Sequence, residues 1–195
     1  VSPGIKTKGV KAHKILKLAK KNKCKIFSEL DLFQTYLENC KHKNNVKIVG
    51  VTGTNGKSTV VTLLRHILEK NNIPCSLVGN IGKSIFSSRE IKKGIYIMEI
   101  SSYQLECSNL FAPDYACILN LGPDHIDRHG SIGNYAREKL KIFQNLDSNQ
   151  YGLINHNHKE LKINFNKLSK PIKNRILDVD FKKKLFSFYS VSKKS

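Results

Sequence analysis

The segment VGVTGTNGKST at residues 49–59 constrains this chain more than any other feature. An apolar run at 46–51 leads into it, and a stretch with helical spacing of apolar residues follows it. A strand, a glycine-containing loop, a lysine and a hydroxyl residue that opens a helix are typical of a phosphate-binding loop. Glycines allow the tight turn, and the helix N-terminus attracts anions. The segment therefore predicts a site for nucleotide phosphates.

The individual loop residues have distinct expected roles. The generic pattern would place its first glycine at Val51, and here Gly53 supplies the early glycine instead. Lys57 is expected to reach the β- and γ-phosphates of ATP, and the Ser58 hydroxyl to ligate Mg²⁺. The alternative is an ordinary turn before a helix, but the strand-to-helix context favours the phosphate site. The predicted phosphate-binding residues are Gly53, Thr54, Asn55, Gly56, Lys57, Ser58 and Thr59.

The chain is strongly basic, with 34 Lys and Arg against 15 Asp and Glu, and a net charge of +19. Such a charge favours anionic partners, either nucleotides or nucleic acid. The lysines are spread along the chain and accompany no RNA-binding or helix-turn-helix pattern. We therefore interpret most of the charge as a solvated surface and predict no nucleic-acid partner. A basic nucleic-acid-binding ATPase is the alternative, and it predicts tight, salt-sensitive binding to DNA or RNA.

Neither a membrane span nor a disulfide framework is expected. The sequence contains no run of 18 apolar residues. Its five cysteines are scattered, odd in number and never spaced as C-x-x-C, so we expect reduced, mostly buried thiols. Reduced thiols are typical of a cytoplasmic protein.

Strand and helix patterns alternate along most of the chain. This alternation predicts an α/β fold, with a mostly parallel sheet that has helices on both faces. The predicted strands lie at 46–51, 75–78, 96–100, 115–121 and 151–154. Helices are predicted at 103–108 and 134–146, and after the phosphate loop, where Val60, Leu63, Leu64, Ile67 and Leu68 form one apolar face. The last residues, 156–195, predict a peripheral helix and one or two strands.

The first 45 residues carry weaker signals. Residues 6–23 have a helical pattern, and 24–27 resemble a short strand. Ser28, followed three residues later by Asp31, predicts a capped helix that continues to about residue 40. The polar run at 41–45 is the candidate linker.

Functional side chains are expected where parallel strands end. Glu99 follows one strand and could join Ser58 as a Mg²⁺ ligand, while Ser101 beside it could contact substrate or simply cap the next helix. His125, in the segment DHIDRH at 124–129, is a candidate metal ligand, with a polar loop as the alternative. Lys139 is one more lysine on a basic helix, and its spacing does not single it out as a site residue.

Together these motifs resemble the Mur ligases, the ATP-dependent amide-forming enzymes of peptidoglycan synthesis. TGTNGKST is similar to their phosphate loop, and EISSYQLE at 99–106 is similar to the branch of the family that adds D-glutamate. The segments GNIG at 79–82, ILNLGPDHIDRHGS at 118–131 and NYAREKLKIF at 134–143 agree with that branch. The likeness covers residues 1–155, where VSPGI at 1–5 resembles a loop on the substrate side.

The resemblance implies a reaction and roles for residues. ATP would activate the carboxylate of UDP-N-acetylmuramoyl-L-alanine as an acyl phosphate, which the amine of D-glutamate would attack. Lys57, His125 and Lys139 would be catalytic. Ser58 and Glu99 would hold one Mg²⁺, His125 would help to hold a second, and Lys139 would be carbamylated and act as a further metal ligand. The resemblance also implies small-molecule partners and a monomer. The residues it implies at the muramoyl substrate are Ser2, Pro3, Gly4, Asn80 and Ser101.

The resemblance also predicts a domain organisation. Residues 1–45 would be the C-terminal part of a Rossmann-like UDP-substrate domain, and residues 46–195 an ATP-binding central domain. Family members have a third domain, so we expect a fragment that binds nucleotide weakly and does not complete ligation alone. A Mur ligase of other amino-acid specificity and a non-catalytic nucleotide-binding relic are the alternatives.

Overall fold

A computed structural model describes residues 5, 13–81, 84–87, 91–156, 158–180 and 185–188. The helices are α1 Lys14–Lys21, α2 Glu29–Glu38, α3 Lys57–Lys70, α4 Ser102–Cys107, α5 Ile126–His129, α6 Ile132–Leu140, α7 Lys159–Phe165 and α8 Lys170–Lys173. The strands are β1 Val46–Thr52, β2 Cys75–Gly79, β3 Gly94–Glu99, β4 Tyr115–Ile118, β5 Tyr151–Ile154, β6 Ile176–Asp180 and β7 Leu185–Phe188.

The described strands form one sheet in the order β2-β3-β1-β4-β5-β6-β7. Neighbouring strands are parallel throughout, except that β7 runs antiparallel to β6. The chain crosses from β3 over β1 to β4, so the sheet has a topological switch point beside β1. In open α/β sheets, ligands bind outside the carboxyl ends of the strands at such a point. The predicted α/β class, with a mostly parallel sheet, is confirmed.

Helices cover both faces of the sheet, as the sequence predicts. The larger core includes α2, α4, α6 and α7, which pack against one face. On the other face α3 packs over β1, β2 and β3. Among the described residues, no helix is both long and apolar enough to cross a membrane.

The buried side of α3 differs from the predicted one. Val61 and Leu68 are buried, whereas Leu63 and Ile67 are about half exposed. With 3.6 residues per turn, positions 61, 64 and 68 lie on one stripe, and positions 63 and 67 are rotated away from it. The helix itself is confirmed, but its predicted apolar face is wrong in these two positions.

The helix α2 is joined to the sheet domain by a buried carboxylate. Ser28 and Asp31 form the predicted capping box, which confirms the helix start. The second oxygen of Asp31 accepts hydrogen bonds from the Ser108 hydroxyl and from the backbone N–H groups of Asn109 and Leu110. Desolvation by itself would raise the pKa of Asp31, but these bonds outweigh it and hold the pKa below its usual value.

Other boundaries differ from the expectations. Residues 24–27 form no strand, because they pair with no described strand. The strand expected at 115–121 ends at residue 118, and the helix expected at 134–146 is α6 followed by a 3₁₀ turn at 141–143. Of the helix expected at 6–23, α1 is observed, while residues 6–12 lie outside the described residues. The domain boundary at residue 45 stays a prediction.

The thiols also differ from the expectation. All five cysteines are free, and of them Cys107 is buried, Cys24 is exposed, and the other three are partly exposed. Mostly buried thiols were therefore the wrong expectation. Cys75, Cys107 and Cys117 lie on β2, α4 and β4, whereas Cys24 and Cys40 lie between elements.

Candidate functional site

The phosphate loop connects β1 to α3 at the switch point of the sheet. Gly56 is the N-cap of α3 and has a φ of 80°, which favours glycine. A Cβ on Gly53 would lie 3.1 Å from the Leu119 Cβ, so a residue with a side chain would fit only if this neighbour shifted. No side chain caps this 14-residue helix. The N–H groups of its first turn are therefore available to an anion.

Two lysines converge on the inside of the loop. Lys57 Nζ donates to the carbonyl oxygens of Gly53 and Thr54, each at 3.0 Å. Lys139 Nζ donates to the same Gly53 oxygen at 2.8 Å, although Lys139 lies on α6. Burial and repulsion from Lys57 lower the pKa of Lys139 to about 7, while Asp124 opposes this shift. The structure thus places a buried amine that is easily deprotonated beside the phosphate loop.

Glu99 lies where β3 ends and connects two predicted site residues. Its Oε2 accepts a 2.7 Å hydrogen bond from the Ser58 hydroxyl, and its Oε1 accepts a 2.8 Å bond from the Asn80 amide. Glu99 is 1% exposed. A buried carboxylate oxygen beside a hydroxyl oxygen is a donor set that suits Mg²⁺. Within the described part of the chain, no three His, Cys, Asp or Glu residues form a metal cluster, so phosphate and water oxygens would have to complete the shell.

Ser101 has the local role that the sequence left open as an alternative. It caps α4 in a capping box with Gln104, in which the Ser101 hydroxyl accepts the Gln104 N–H at 3.2 Å. Its expected contact with substrate stays a prediction. Ser2, Pro3 and Gly4, the other residues predicted at the substrate, lie outside the described residues.

His125 lies in a strained turn close to the loop. It has a φ of 51°, in the left-handed region that a residue with a side chain seldom adopts. Strain of this kind clusters at functional sites. The His125 ring packs on Tyr103, with ring centroids 4.9 Å apart, and contacts the edge of Tyr135 at 6.1 Å. The structure therefore holds His125 through aromatic contacts, and through a contact of its Nε2 with Asp124 Oδ2 at 3.3 Å.

Tyr135 is a central residue that sequence reasoning missed. Its hydroxyl lies 3.3 Å from the Thr54 hydroxyl in the loop, and Lys139 Nζ lies 4.6 Å from the centre of its ring. The His129 ring stacks on the Tyr135 ring, with ring centroids 5.3 Å apart. Tyr135 thereby contacts Thr54, His125 and Lys139, three predicted site residues from three segments. Its position four residues before Lys139 on α6 was the only available signal, and it is the spacing of any helix face.

Asn120, two residues beyond β4, is the second residue that was missed. Its carboxamide makes three hydrogen bonds to the backbone of Thr54 and Asn55. A polar residue at the end of the strand beside β1 was visible in the sequence. Which loop atoms it meets depends on the pairing of β1 with β4, and the sequence does not specify that pairing.

These features define an α/β nucleotide-binding domain of the phosphate-loop class. A family model, the Mur ligase middle domain, matches residues 51–194. The chain therefore belongs to the Mur ligase family.

Curated relatives give a narrower comparison. The UDP-N-acetylmuramoylalanine–D-glutamate ligase of Rickettsia bellii is 41% identical over 155 residues, which cover 80% of this chain and 32% of that protein. The enzyme of the same name from Wolbachia pipientis wMel is 44% identical over 142 residues, covering 73% of this chain and 26% of that protein. The chain thus spans about a third or less of the length of these relatives.

Solved structures support the fold alone, because their sequences are distant. MurF from Acinetobacter baumannii superposes with a TM-score of 0.59 at 18% identity, covering 77% of this chain and 34% of that one. MurF ligase from Thermotoga maritima, solved in complex with ADP, gives 0.56 at 20% identity and covers 77% of this chain and 35% of that one.

Proposed function

We propose that this chain is the nucleotide-binding part of an ATP-dependent ligase that joins D-glutamate to UDP-N-acetylmuramoyl-L-alanine. The single observation that carries the proposal is the uncapped start of α3 with Lys57, beside the hydrogen-bonded pair of Ser58 and Glu99. The names of the curated relatives support the choice of substrates. The ADP complex of the Thermotoga maritima ligase supports an adenine nucleotide as the ligand.

The proposed reaction has two steps. The substrate carboxylate attacks the γ-phosphorus of ATP, the bond to the β,γ-bridging oxygen breaks, and ADP leaves. The amine of D-glutamate then attacks the acyl carbon, loses a proton, and displaces inorganic phosphate. Such chemistry depends mainly on positioning and on neutralising charge.

Each side chain has a role in that scheme. The first-turn N–H groups of α3 and the ammonium of Lys57 bind the β- and γ-phosphates, and Lys57 exchanges its loop carbonyls for phosphate oxygens. Ser58 and Glu99 would hold a Mg²⁺ ion, which would neutralise phosphate charge. Asn80 orients the Glu99 carboxylate through its 2.8 Å hydrogen bond, and its contact with the muramoyl substrate is part of the proposal.

Lys139 and His125 complete the proposed set of metal ligands. An ammonium has no lone pair and cannot ligate a metal, so Lys139 must react first. Its lowered pKa, about 7, favours the neutral amine. The amine nitrogen attacks carbon dioxide, one C=O π bond opens, and the nitrogen loses a proton to solvent to give the carbamate. The carbamate is an anion beside Lys57, so the repulsion between the two ammonium groups becomes an attraction. His125 adds a neutral imidazole nitrogen.

We further place this protein among cytoplasmic enzymes with small-molecule partners. The five cysteines are free, which suits a reducing compartment. A monomer remains part of the same proposal and is checked by light scattering of the purified chain.

Calorimetric titration with MgADP and MgATP tests nucleotide binding. Lys57→Ala is expected to weaken binding at least about tenfold, because a charge-assisted hydrogen bond to phosphate is lost. Lys70→Ala, at the exposed far end of the same helix, is the matched control and should bind as wild type. Equal affinities for wild type and Lys57→Ala would contradict the proposal. Phosphate release with both substrates tests the separate expectation that this chain alone does not complete ligation, and robust turnover would refute that expectation.

A further inference from the structure

In the front half of the phosphate loop, the backbone of Thr54 and Asn55 is bonded to the side chain of Asn120. Asn120 Oδ1 accepts hydrogen bonds from the N–H of Thr54 at 3.1 Å and of Asn55 at 2.9 Å. Asn120 Nδ2 donates to the carbonyl oxygen of Asn55 at 3.0 Å. The backbone carbonyl of Asn120 also accepts from the Thr54 N–H at 3.2 Å. The carboxamide of Asn120 therefore bonds both the N–H and the carbonyl oxygen of Asn55.

These bonds change which loop atoms can bind phosphate. The N–H groups of Thr54 and Asn55 already point at Asn120, so they are not directed at a ligand. The N–H groups that remain for phosphate lie at Gly56 and in the first turn of α3. Asn120 thus divides the loop into two parts. Thr54 and Asn55 are bonded to Asn120, two residues beyond β4, while Gly56 and the first turn of α3 face the anion.

We propose that Asn120 is a positioning residue for nucleotide binding, which fixes the loop before the nucleotide arrives. A glycine-containing loop loses much conformational freedom when it becomes ordered. A loop that is already fixed loses less on binding, so its affinity is higher. Asn120 suits this role because its amide both accepts and donates, whereas a carboxylate at the same place would only accept and would repel phosphate. The inference rests on the proposed nucleotide site.

Two variants separate positioning from general stability. Asn120→Ala removes all three side-chain bonds. Asn120→Asp keeps the acceptor for Thr54 and Asn55 but adds a negative charge near the phosphates. Asn174→Ala, an exposed asparagine in the turn after α8, is the matched control.

The first readout needs no nucleotide. Amide hydrogen exchange of Asn55, followed by NMR, should be at least about tenfold faster in Asn120→Ala than in wild type, since exchange requires that its bond to the side chain opens. Exchange of Thr54 should rise less, because its N–H keeps the bond to the backbone carbonyl of Asn120. Asn120→Asp should keep exchange slow at both amides, and Asn174→Ala should leave it unchanged. A purely structural role would raise exchange across the core of the sheet instead. Unchanged exchange at Asn55 in Asn120→Ala would overturn the inference.

The second readout is affinity for MgADP and MgATP. Asn120→Ala should weaken both about tenfold, the ratio that corresponds to the loss of one or two net hydrogen bonds. Asn120→Asp should weaken MgATP more than MgADP, because repulsion grows with phosphate charge. Wild-type affinity in Asn120→Ala would overturn the positioning role. If wild type itself binds no nucleotide, the proposed function fails, and the exchange comparison still decides whether Asn120 holds the loop.

Discussion

At the scale of single residues, the site contains charged groups that are held by hydrogen bonds to close neighbours. Glu99 is buried, yet both of its oxygens accept hydrogen bonds, from Ser58 and from Asn80. Lys57 and Lys139 share the Gly53 carbonyl oxygen and bring two like charges together. Such an arrangement is unfavourable on its own, and a bound polyphosphate with its cation would relieve it.

The substitution Glu99→Gln removes the charge of this side chain while keeping its shape, so it tests what the charge contributes to nucleotide binding. Glutamine has the same size, and its amide can still meet the Ser58 hydroxyl and the Asn80 side chain. We expect MgADP affinity to fall about tenfold, since a Mg²⁺ ligand loses its charge. Affinity for ADP without Mg²⁺ should stay the same or rise, because repulsion between the carboxylate and phosphate disappears. Calorimetry with and without EDTA measures both values.

The control for this substitution is Glu69→Gln. Glu69 forms a half-exposed ion pair with Arg65 on α3 and lies away from the loop, so its loss should leave both affinities unchanged. Equal loss of affinity with and without Mg²⁺ in Glu99→Gln would contradict the assignment of Glu99 as a metal ligand.

Carbamylation of Lys139 should depend on pH in a defined direction. The reactive form is the neutral amine, and with a pKa of about 7 this form rises from about one tenth at pH 6 to about nine tenths at pH 8. We therefore expect the ¹³C carbamate signal from labelled bicarbonate to grow across this interval. Lys139→Ala should lack the component that grows between pH 6 and pH 8, which separates it from carbamate at the chain terminus. A signal identical in both proteins would refute the prediction.

At the scale of helices, strands and loops, the sequence predicted features made by neighbouring residues and missed contacts between distant segments. The helix start at Ser28 and Asp31 was predicted because a capping box is a contact between residues three apart. The phosphate loop was predicted for the same reason, since its strand, turn and helix are continuous in sequence. Tyr135 and Asn120 were missed because their partners in the loop lie 81 and 65 or 66 residues away. Contacts of that range follow from strand order, which local patterns do not encode.

The strand expected at residues 24–27 was wrong for a related reason, which also concerns contacts between elements. Its apolar residues suggested a strand, but strand formation needs a neighbouring strand to pair with, and none of the described strands adjoins it. Exposure of Leu63 and Ile67 has a similar origin, because α3 packs on a sheet whose position sets which stripe is buried.

The helix α2 provides an element-scale test of stability. Asp31 accepts bonds from Ser28, Ser108, Asn109 and Leu110, so Asp31→Asn should lower the free energy of unfolding by about 2–3 kcal/mol at pH 7. Ser108→Ala removes one of these bonds and should cost about 1 kcal/mol. Urea unfolding measures both, and the smaller loss for Ser108→Ala is the internal comparison.

Lowering the pH should remove the stabilisation that the Asp31 carboxylate provides. The pKa of Asp31 is lowered in the folded chain, so its stabilisation is fully present above about pH 4, the unfolded value, and is lost as the pH falls through the folded value. The difference in unfolding free energy between wild type and Asp31→Asn should therefore shrink between pH 5 and pH 2. A difference that stays constant over this range would show that the carboxylate charge is not what holds α2.

At the scale of the whole molecule, the two faces of the sheet are covered unequally. One face is packed against four helices, and its residues on β4, β5 and β6, such as Ile118, Ile154 and Ile176, are fully buried. On the other face α3 covers β1, β2 and β3. Beside it lies an open apolar groove, lined by Val49, Tyr115, Ala116, Cys117, Tyr151, Gly152, Leu153 and Leu177. Neighbouring residues on one strand therefore differ strongly in environment.

Leu153 and Ile154 on β5 test this asymmetry, because their side chains point to opposite faces. Leu153→Lys should change the free energy of unfolding by less than about 1 kcal/mol, since lysine can lie along the groove with its ammonium in water. Ile154→Lys should cost more than about 4 kcal/mol and abolish folding, because a charge would be buried without a partner. Binding of a hydrophobic dye should fall in Leu153→Lys, as the groove becomes charged. Equal destabilisation by the two substitutions would mean that both faces are packed, and the groove would then not be open in solution.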